Sequence, residues 1–332
     1  MPMRFRVALL ALALAAPLLP LPARAATLAE IQAKVNRLED EATAAAEGAQ
    51  EAKVKLASLT RQLNGIKAAA AAQGATVDQL KKSLGTIAIE QYKAGGLSQS
   101  LELLFSSNPS LYLSAAGSLD AVTRKKALQL RQFEAAQQRL NATTLTVNDK
   151  MALVQATQKR LAAQARLANA KLAEAEALLA KLTKQERERL AKLAAQKEDE
   201  DQASSLAAAK GFQKLSGRGG IAIQYALKQI GDRYVFGADG LTTWDCSGLT
   251  MRAFQAAGVS LPHSSAAQAR MGKKVALNAM QPGDLLFYGR PVSHVGIYLG
   301  NKKIVHAPRS GSRVKIADYK MGRKALVAVR RF

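Results

Sequence analysis

Trp244-Asp245-Cys246-Ser247-Gly248-Leu249 holds the only cysteine of this 332-residue chain, and the residues after it settle how that cysteine is carried. Leu249, Ala253, Phe254 and Ala257 recur at helical spacing and stop at Gly258. The pattern predicts a helix whose N-terminus lies at or next to Cys246. Unpaired amide donors and the positive dipole end at such a terminus stabilise a thiolate. Downstream the pattern changes to strands: Asp284–Tyr288, His294–Leu299, Lys303–His306, Val314–Ile316 and Leu326–Arg330. Helices first and antiparallel strands afterwards give an α+β layout. A tight turn at Gly300-Asn301 folds the third strand back on the second, which brings His306 near His294. These are two of only three histidines in the chain. A thiol with two imidazoles can act as nucleophile, base and orienting group.

Bland readings stand beside this one. A single cysteine can be a buried, inert core residue, but the polar neighbours Asp245 and Ser247 argue against an apolar slot. A strand histidine can be purely structural. Cys246, His294 and His306 could hold zinc, yet no second thiol or carboxylate has metal-type spacing, so neither a metal nor another cofactor is expected. His263, in Leu261-Pro262-His263-Ser264, reads as a surface-loop residue.

Upstream, residues from about 27 to 200 are rich in Ala, Leu, Lys, Gln and Glu, with Pro109 as the one proline. Leu56, Leu59, Leu63 and Ile66, and later Leu140, Val147, Met151, Val154 and Leu161, mark an apolar seam at helical spacing. The reading is a coiled-coil helical hairpin over 26–205 with a tip near 93–117, each long helix spanning roughly 100 Å. The Ala-rich seam leaves an intramolecular hairpin and a parallel dimer both open. The apolar tip residues Leu103, Leu104, Phe105, Leu111 and Tyr112 serve either as a cap or as a docking surface. Glu198-Asp199-Glu200-Asp201 reads as a solvated face. Residues 206–218, together with the glycines through Gly220, read as a linker, and 219–332 as the domain that carries the thiol.

The N-terminus bounds the compartment. Arg4 and Arg6, an apolar run from Val7 to Leu21 and Ala23-Arg24-Ala25 have the build of a signal peptide, residues 1–25. Pro17 and Pro20 and the shortness of the run argue against an uncut membrane anchor. An extracytoplasmic protein with no integral span after cleavage is expected, located in the periplasm or secreted to the wall. Lys and Arg number 48 against 25 Asp and Glu, a net charge of +23. Export excludes nucleic acid as the partner of that charge and leaves anionic wall polymer, anionic lipid or acidic peptide.

Residues 219–332 resemble the NlpC-type cysteine peptidases of bacterial cell walls, a papain-like family. The resemblance rests on Tyr234-Val235-Phe236-Gly237, Asp245-Cys246-Ser247-Gly248-Leu249, Leu261-Pro262 with Ser264 and Gln268, Pro282-Gly283-Asp284-Leu285-Leu286-Phe287, His294-Val295-Gly296-Ile297-Tyr298-Leu299-Gly300 and His306-Ala307. It implies a papain-like fold with Cys246 as nucleophile, His294 as base and His306 as orienting group. Tyr234, Asp245, Ser247 and Ser264 would line the subsite for the acidic and amino ends of a wall peptide. The implied reaction is endopeptidase cleavage of peptidoglycan stem peptides after D-glutamate. His263 departs from the arginine that many members carry. The helical part is similar in plan to the coiled-coil halves of division-associated wall hydrolases. Those halves dock on the FtsE–FtsX transporter and restrain the peptidase. Two other readings are a non-catalytic murein-binding adaptor and a thiol amidase or acyl transferase.

Overall fold

The computed structural model describes residues 27–93, 109–212, 215–322 and 324–332. The expected signal peptide and the core of the expected tip, with Leu103, Leu104 and Phe105 and the side chains of Leu111 and Tyr112, lie outside the described residues. Two long helices, α1 (Leu28–Lys93) and α2 (Pro109–Ala180), make a rod. They run antiparallel within one chain: Val35 and Leu38 pack on Ala175, Ala45 and Ala46 on Ala168, and Lys150 donates to Gln62. The hairpin is therefore intramolecular. Its seam near the thiol-bearing domain is built of Ala42, Ala45, Ala46, Ala49 and Ala52, small enough for the helices to approach closely.

The second arm is not one helix. It breaks at residues 181–183, and α3 (Lys184–Ala209) restarts behind a capping box in which Thr183 and Glu186 satisfy each other's exposed amides. α3 lies on the edge of the sheet. The acidic run expected to face solvent is instead a docking face: Glu198 and Asp201 both reach Lys315 Nζ, at 3.1 and 2.8 Å, and Glu198 accepts from the Arg313 amide. Ser205 Oγ accepts from the Ile316 amide, and Gln202 donates to the Val314 carbonyl. Side chains of α3 thus satisfy backbone groups at Arg313, Val314 and Ile316 and cover the start of the edge strand.

The glycines read as linker form the first turn of α4 (Gly217–Leu227). Two of them are small for packing reasons. A Cβ on Gly219 would sit 2.9 Å from Gly283 Cα, and one on Gly220 would sit 2.3 Å from the Leu215 carbonyl. The short parallel pair β1 (Arg233–Tyr234) and β2 (Thr243–Trp244) leads into α5 (Cys246–Ala256), and α6 (Ser265–Gln268) follows. The strands β3 (Lys273–Lys274), β4 (Leu285–Tyr288), β5 (His294–Gly300), β6 (Lys303–His306), β7 (Lys315–Asp318) and β8 (Leu326–Arg331) form one antiparallel sheet in the order β3-β8-β4-β5-β6-β7. α4 and α5 cover one face, burying Ile223, Leu249, Phe254, Leu285, Phe287 and Ile297 completely. The α+β expectation holds, as does the helical hairpin preceding it. Among the described residues no helix is long and apolar enough to cross a membrane.

Candidate active site

Cys246 is the first residue of α5, as its neighbourhood predicts, and Asp245 is the N-cap. The Asp245 carboxylate accepts from the Gly248 amide at 2.6 Å and from the Gly237 amide at 3.0 Å, which fixes the turn that presents the thiol. Gly248 has to be glycine because a Cβ there would lie 2.3 Å from the Ala238 carbonyl. Gln268, buried on α6, donates to the carbonyls of Ser247 and Pro262 and accepts from Thr250, so it ties α6 to the thiol helix.

The sheet supplies the imidazoles. β5 pairs with β6 through Ile297–Val305 and Tyr298–Ile304, around a turn in which Asn301 and Lys302 take positive φ. His294 at the start of β5 and His306 at the end of β6 meet across this hairpin, with His294 Nε2 2.8 Å from His306 Nδ1. Gly296 keeps the crossing tight, since its Cβ would lie 3.2 Å from His306 Cβ. Burial, the other imidazole and Lys324 hold His294 well below the usual imidazole range. Burial, Lys315 and Lys324 take His306 down to about 3. Both rings are therefore neutral. His294 Nδ1 is buried and has no hydrogen-bond partner among the described residues. Cys246 and Val295, next along β5, are buried in the same core cluster, which places the thiol helix against this strand.

The thiol is closed off by a residue that sequence reading missed. Glu47, on α1, is 1% exposed. Its Oε1 accepts from Cys246 Sγ at 3.2 Å and contacts Ser247 Oγ at 2.8 Å. Its Oε2 accepts from the Ser265 amide at 3.0 Å and from Ser265 Oγ at 2.8 Å. Cys246 itself is buried in the apolar core of the domain, contrary to the expectation from its polar neighbours, and its thiol is capped by a carboxyl group. Burial first, then the Glu47 and Asp245 carboxylates, push the thiol well above its ordinary value, and the Val295 amide offsets this only in part. The helix N-terminus expected to favour the thiolate is outweighed in this closed arrangement. Ion pairs flank the plug. Arg309 and Lys324 lie beside Glu39 and Asp40, at 3.4 Å for Arg309–Glu39 and Lys324–Asp40, and Arg270 is 3.0 Å from Glu51.

The residues expected to bind substrate divide. Tyr234, Asp245 and Ser247 surround the thiol and the Glu47 carboxyl. Burial, Cys246 and the two carboxylates hold the Tyr234 phenol well above its usual range. Ser264 is the N-cap of α6, its hydroxyl accepting from the Ala267 amide. Its neighbour Ser265 presents both an amide and a hydroxyl to the cleft. His263 is not a free surface residue: its side chain is 18% exposed, and Nε2 lies 2.9 and 2.8 Å from the two Asp245 oxygens.

A thiol at a helix N-terminus, set against an antiparallel sheet that carries two paired imidazoles, defines a papain-like site. Residues 231–331 match the NlpC/P60 family, and the chain carries an NlpC/P60 domain there. Over 108 residues it is 44% identical to "Probable endopeptidase Rv2190c" of Mycobacterium tuberculosis, covering 32% of this chain and 28% of that protein. Over 91 residues it is 44% identical to "Probable endopeptidase p60" of Listeria monocytogenes, covering 27% of this chain and 19% of the relative. The chain thus spans under a third of the length of either. Among solved structures, that of Rv1477, a hypothetical invasion protein of Mycobacterium tuberculosis, is 32% identical over 35% of this chain and 62% of the other, with a TM-score of 0.32.

Proposed function

We propose that the chain is an exported peptidoglycan hydrolase, a cysteine endopeptidase that cuts stem peptides after D-glutamate and before the diamino acid. The observation that carries this reading is the placement of Cys246 at the N-terminus of α5, packed against β5, whose first residue His294 is hydrogen-bonded to His306, in a domain whose relatives bear endopeptidase names. In the reaction, His294 Nδ1 takes the thiol proton, and His306 Nδ1 accepts from His294 Nε2–H to fix the ring. The thiolate attacks the scissile carbonyl. The leaving amine takes the proton back from His294, and water activated by the same ring then hydrolyses the thioester.

In the closed arrangement Glu47 sits where the substrate has to approach the thiol. The rod is therefore the controlling element, and a membrane transporter of the FtsE–FtsX type is the partner that would move it. The net charge of +23 suits a location beside anionic wall polymer. The test is digestion of muropeptides under reducing conditions by the full chain, its Glu47→Ala variant and the double variant with Cys246→Ala. Glu47→Ala is expected to release peptide fragments and the double variant none. If Glu47→Ala releases nothing while still binding murein, the chain is an adaptor. Product mass separates cleavage within the peptide from an amidase cut that frees peptide from sugar.

A further inference from the structure

Glu47 and Asp245 meet at a single hydroxyl. Ser247 Oγ is 2.8 Å from Glu47 Oε1 and 3.1 Å from Asp245 Oδ1. A serine hydroxyl has one hydrogen and can donate to only one of them. With both carboxylates ionised, the second contact sets lone pair against lone pair in a site closed to water. A proton on Glu47 resolves this. Oε1–H then donates to Ser247 Oγ, and Ser247 O–H donates to Asp245 Oδ1. Asp245 is the acceptor end of the chain because its other partners include the Gly237 and Gly248 amides, both donors. On Glu47, Oε2 still accepts from the Ser265 amide and hydroxyl, and Oε1 retains a lone pair for the Cys246 thiol.

We propose that the rod is latched over the thiol by a protonated Glu47, held in the relay Glu47–Ser247–Asp245, so that opening the site releases a proton and closing it takes one up. The latch rests on the reading of the rod as restraint given above, and it adds the chemical state that makes the restraint reversible.

The groups facing Glu47 come from several elements: Asp245 before α5, Cys246 on α5, Tyr234 on β1, and His263 before α6. Burial and then Asp245 raise Glu47 above the ordinary carboxylate value in the closed state, against the opposing bonds from Ser265 and Ser247. Burial pulls His263 down, but its bond to Asp245 and the nearby carboxylates prevail and raise it, so it supports the charge on Asp245. On α1, Glu39 is also raised by burial, against the pull of Arg309. The direction follows from linkage. A group whose closed-state pKa is raised favours closure fully below its free value, and that advantage is lost as pH rises through the raised one. Alkalinity therefore opens the latch.

The experiment measures alkylation of Cys246, the only thiol, by iodoacetamide in the full chain, from about pH 5 to about pH 8, a span above the ordinary carboxylate value. Wild type, Glu47→Gln and Glu47→Ala are compared, each rate divided by that of Glu47→Ala at the same pH to cancel titration of the thiol and of His263. Glutamine reproduces the protonated carboxyl: its amide donates to Ser247, and its carbonyl accepts from Ser265. The wild-type ratio should climb toward one, by up to about tenfold per pH unit. The Glu47→Gln ratio should stay low, with only the shallow slope that Glu39 contributes. Equal slopes for wild type and Glu47→Gln, or a Glu47→Ala thiol as slow as wild type throughout, overturn the proposal. The assay needs no substrate, so a negative result counts against the latch and leaves the peptidase reading to the muropeptide digest.

Discussion

Replacing His306 tests what the second imidazole does. In a Glu47→Ala background, where the thiol is uncovered, His306→Ala removes the group 2.8 Å from His294 Nε2. His294 is neutral, so it has two tautomers, and only the one with its proton on Nε2 leaves Nδ1 free to take the thiol proton. His306 Nδ1 favours that tautomer by accepting its hydrogen bond. A buried hydrogen bond of this kind, with the desolvation left behind when its partner goes, is worth about 1–3 kcal/mol. At ~1.4 kcal/mol per factor of ten, kcat should fall by about 5- to 150-fold. Substrate contacts are untouched, so KM should move little. The assay is steady-state release of peptide from muropeptides, with kcat and KM resolved separately. His306→Gln supplies a carbonyl acceptor in nearly the same place and should recover much of the loss. An unchanged kcat in His306→Ala removes His306 from the mechanism. Equal losses in the alanine and glutamine variants, with both folded, would show that the ring fills space and does not accept a bond.

Other consequences follow from the packing. Gly220→Ala puts a methyl 2.3 Å from the Leu215 carbonyl and should lower stability by about 1–3 kcal/mol, read as a drop in Tm; an unchanged Tm would show that α4 can shift at no cost. Lys315→Ala leaves Glu198 and Asp201 facing β7 without their cation, and amide exchange across 198–205 should quicken; protection equal to wild type would show that Ser205 and Gln202 alone hold α3 down. Raising salt from about 0.05 M to about 0.5 M shortens the screening length to a few ångströms. The rim pairs Glu51–Arg270, Glu39–Arg309 and Asp40–Lys324 should weaken and Cys246 alkylation should speed up; a flat salt profile would confine the latch to Glu47 itself.

The thiol-bearing half was legible because its arrangement follows local patterns. A helical stripe after Cys246 placed the thiol at a helix N-terminus, and a turn signal between two strand-like segments brought His294 and His306 together. The seam of the rod was legible for the same reason. Glu47 was not, because apolar spacing carries no signal for a buried carboxyl group. Thr43, Glu47 and Gln50 recur at steps of four and three, and all three are buried. They form a second stripe on α1, polar and turned toward the thiol domain, while Ala42, Ala45, Ala46 and Ala49 face the partner helix. The usable signal was size. From Ala42 to Ala49 every residue except Glu47 is Ala, Thr or Gly, which marks a helix pressed from more than one side. The same bias toward apolar contacts made 198–201 read as solvated, although two of its four carboxylates bind Lys315. Ser264 and Ser265 were adjacent hydroxyls, and only the backbone decides which one caps α6 and which faces the cleft.

The two attachments of the rod differ in how they can let go. α3 is joined to the thiol domain through a few residues between Ala209 and Gly217, so once detached it re-forms its contact with β7 at a high effective concentration. The latch segment of α1 lies far along the chain from that tether and is carried on α2 through a seam of alanines. Between Ala42 and Gln50 it buries no large apolar side chain against the thiol domain. What it buries is polar: a carboxyl group, a hydroxyl and an amide, each of which water can satisfy on release. Separating a contact of this composition forfeits little hydrophobic free energy and exchanges hydrogen bonds at a net cost of about 0.5–1.5 kcal/mol each. A contact of large apolar residues would seal the thiol more tightly but would also resist a small input. A polar plug on a rigid helix seals the site at rest and yields to a pull on the rod or to the loss of one proton, while α3 keeps the two halves together.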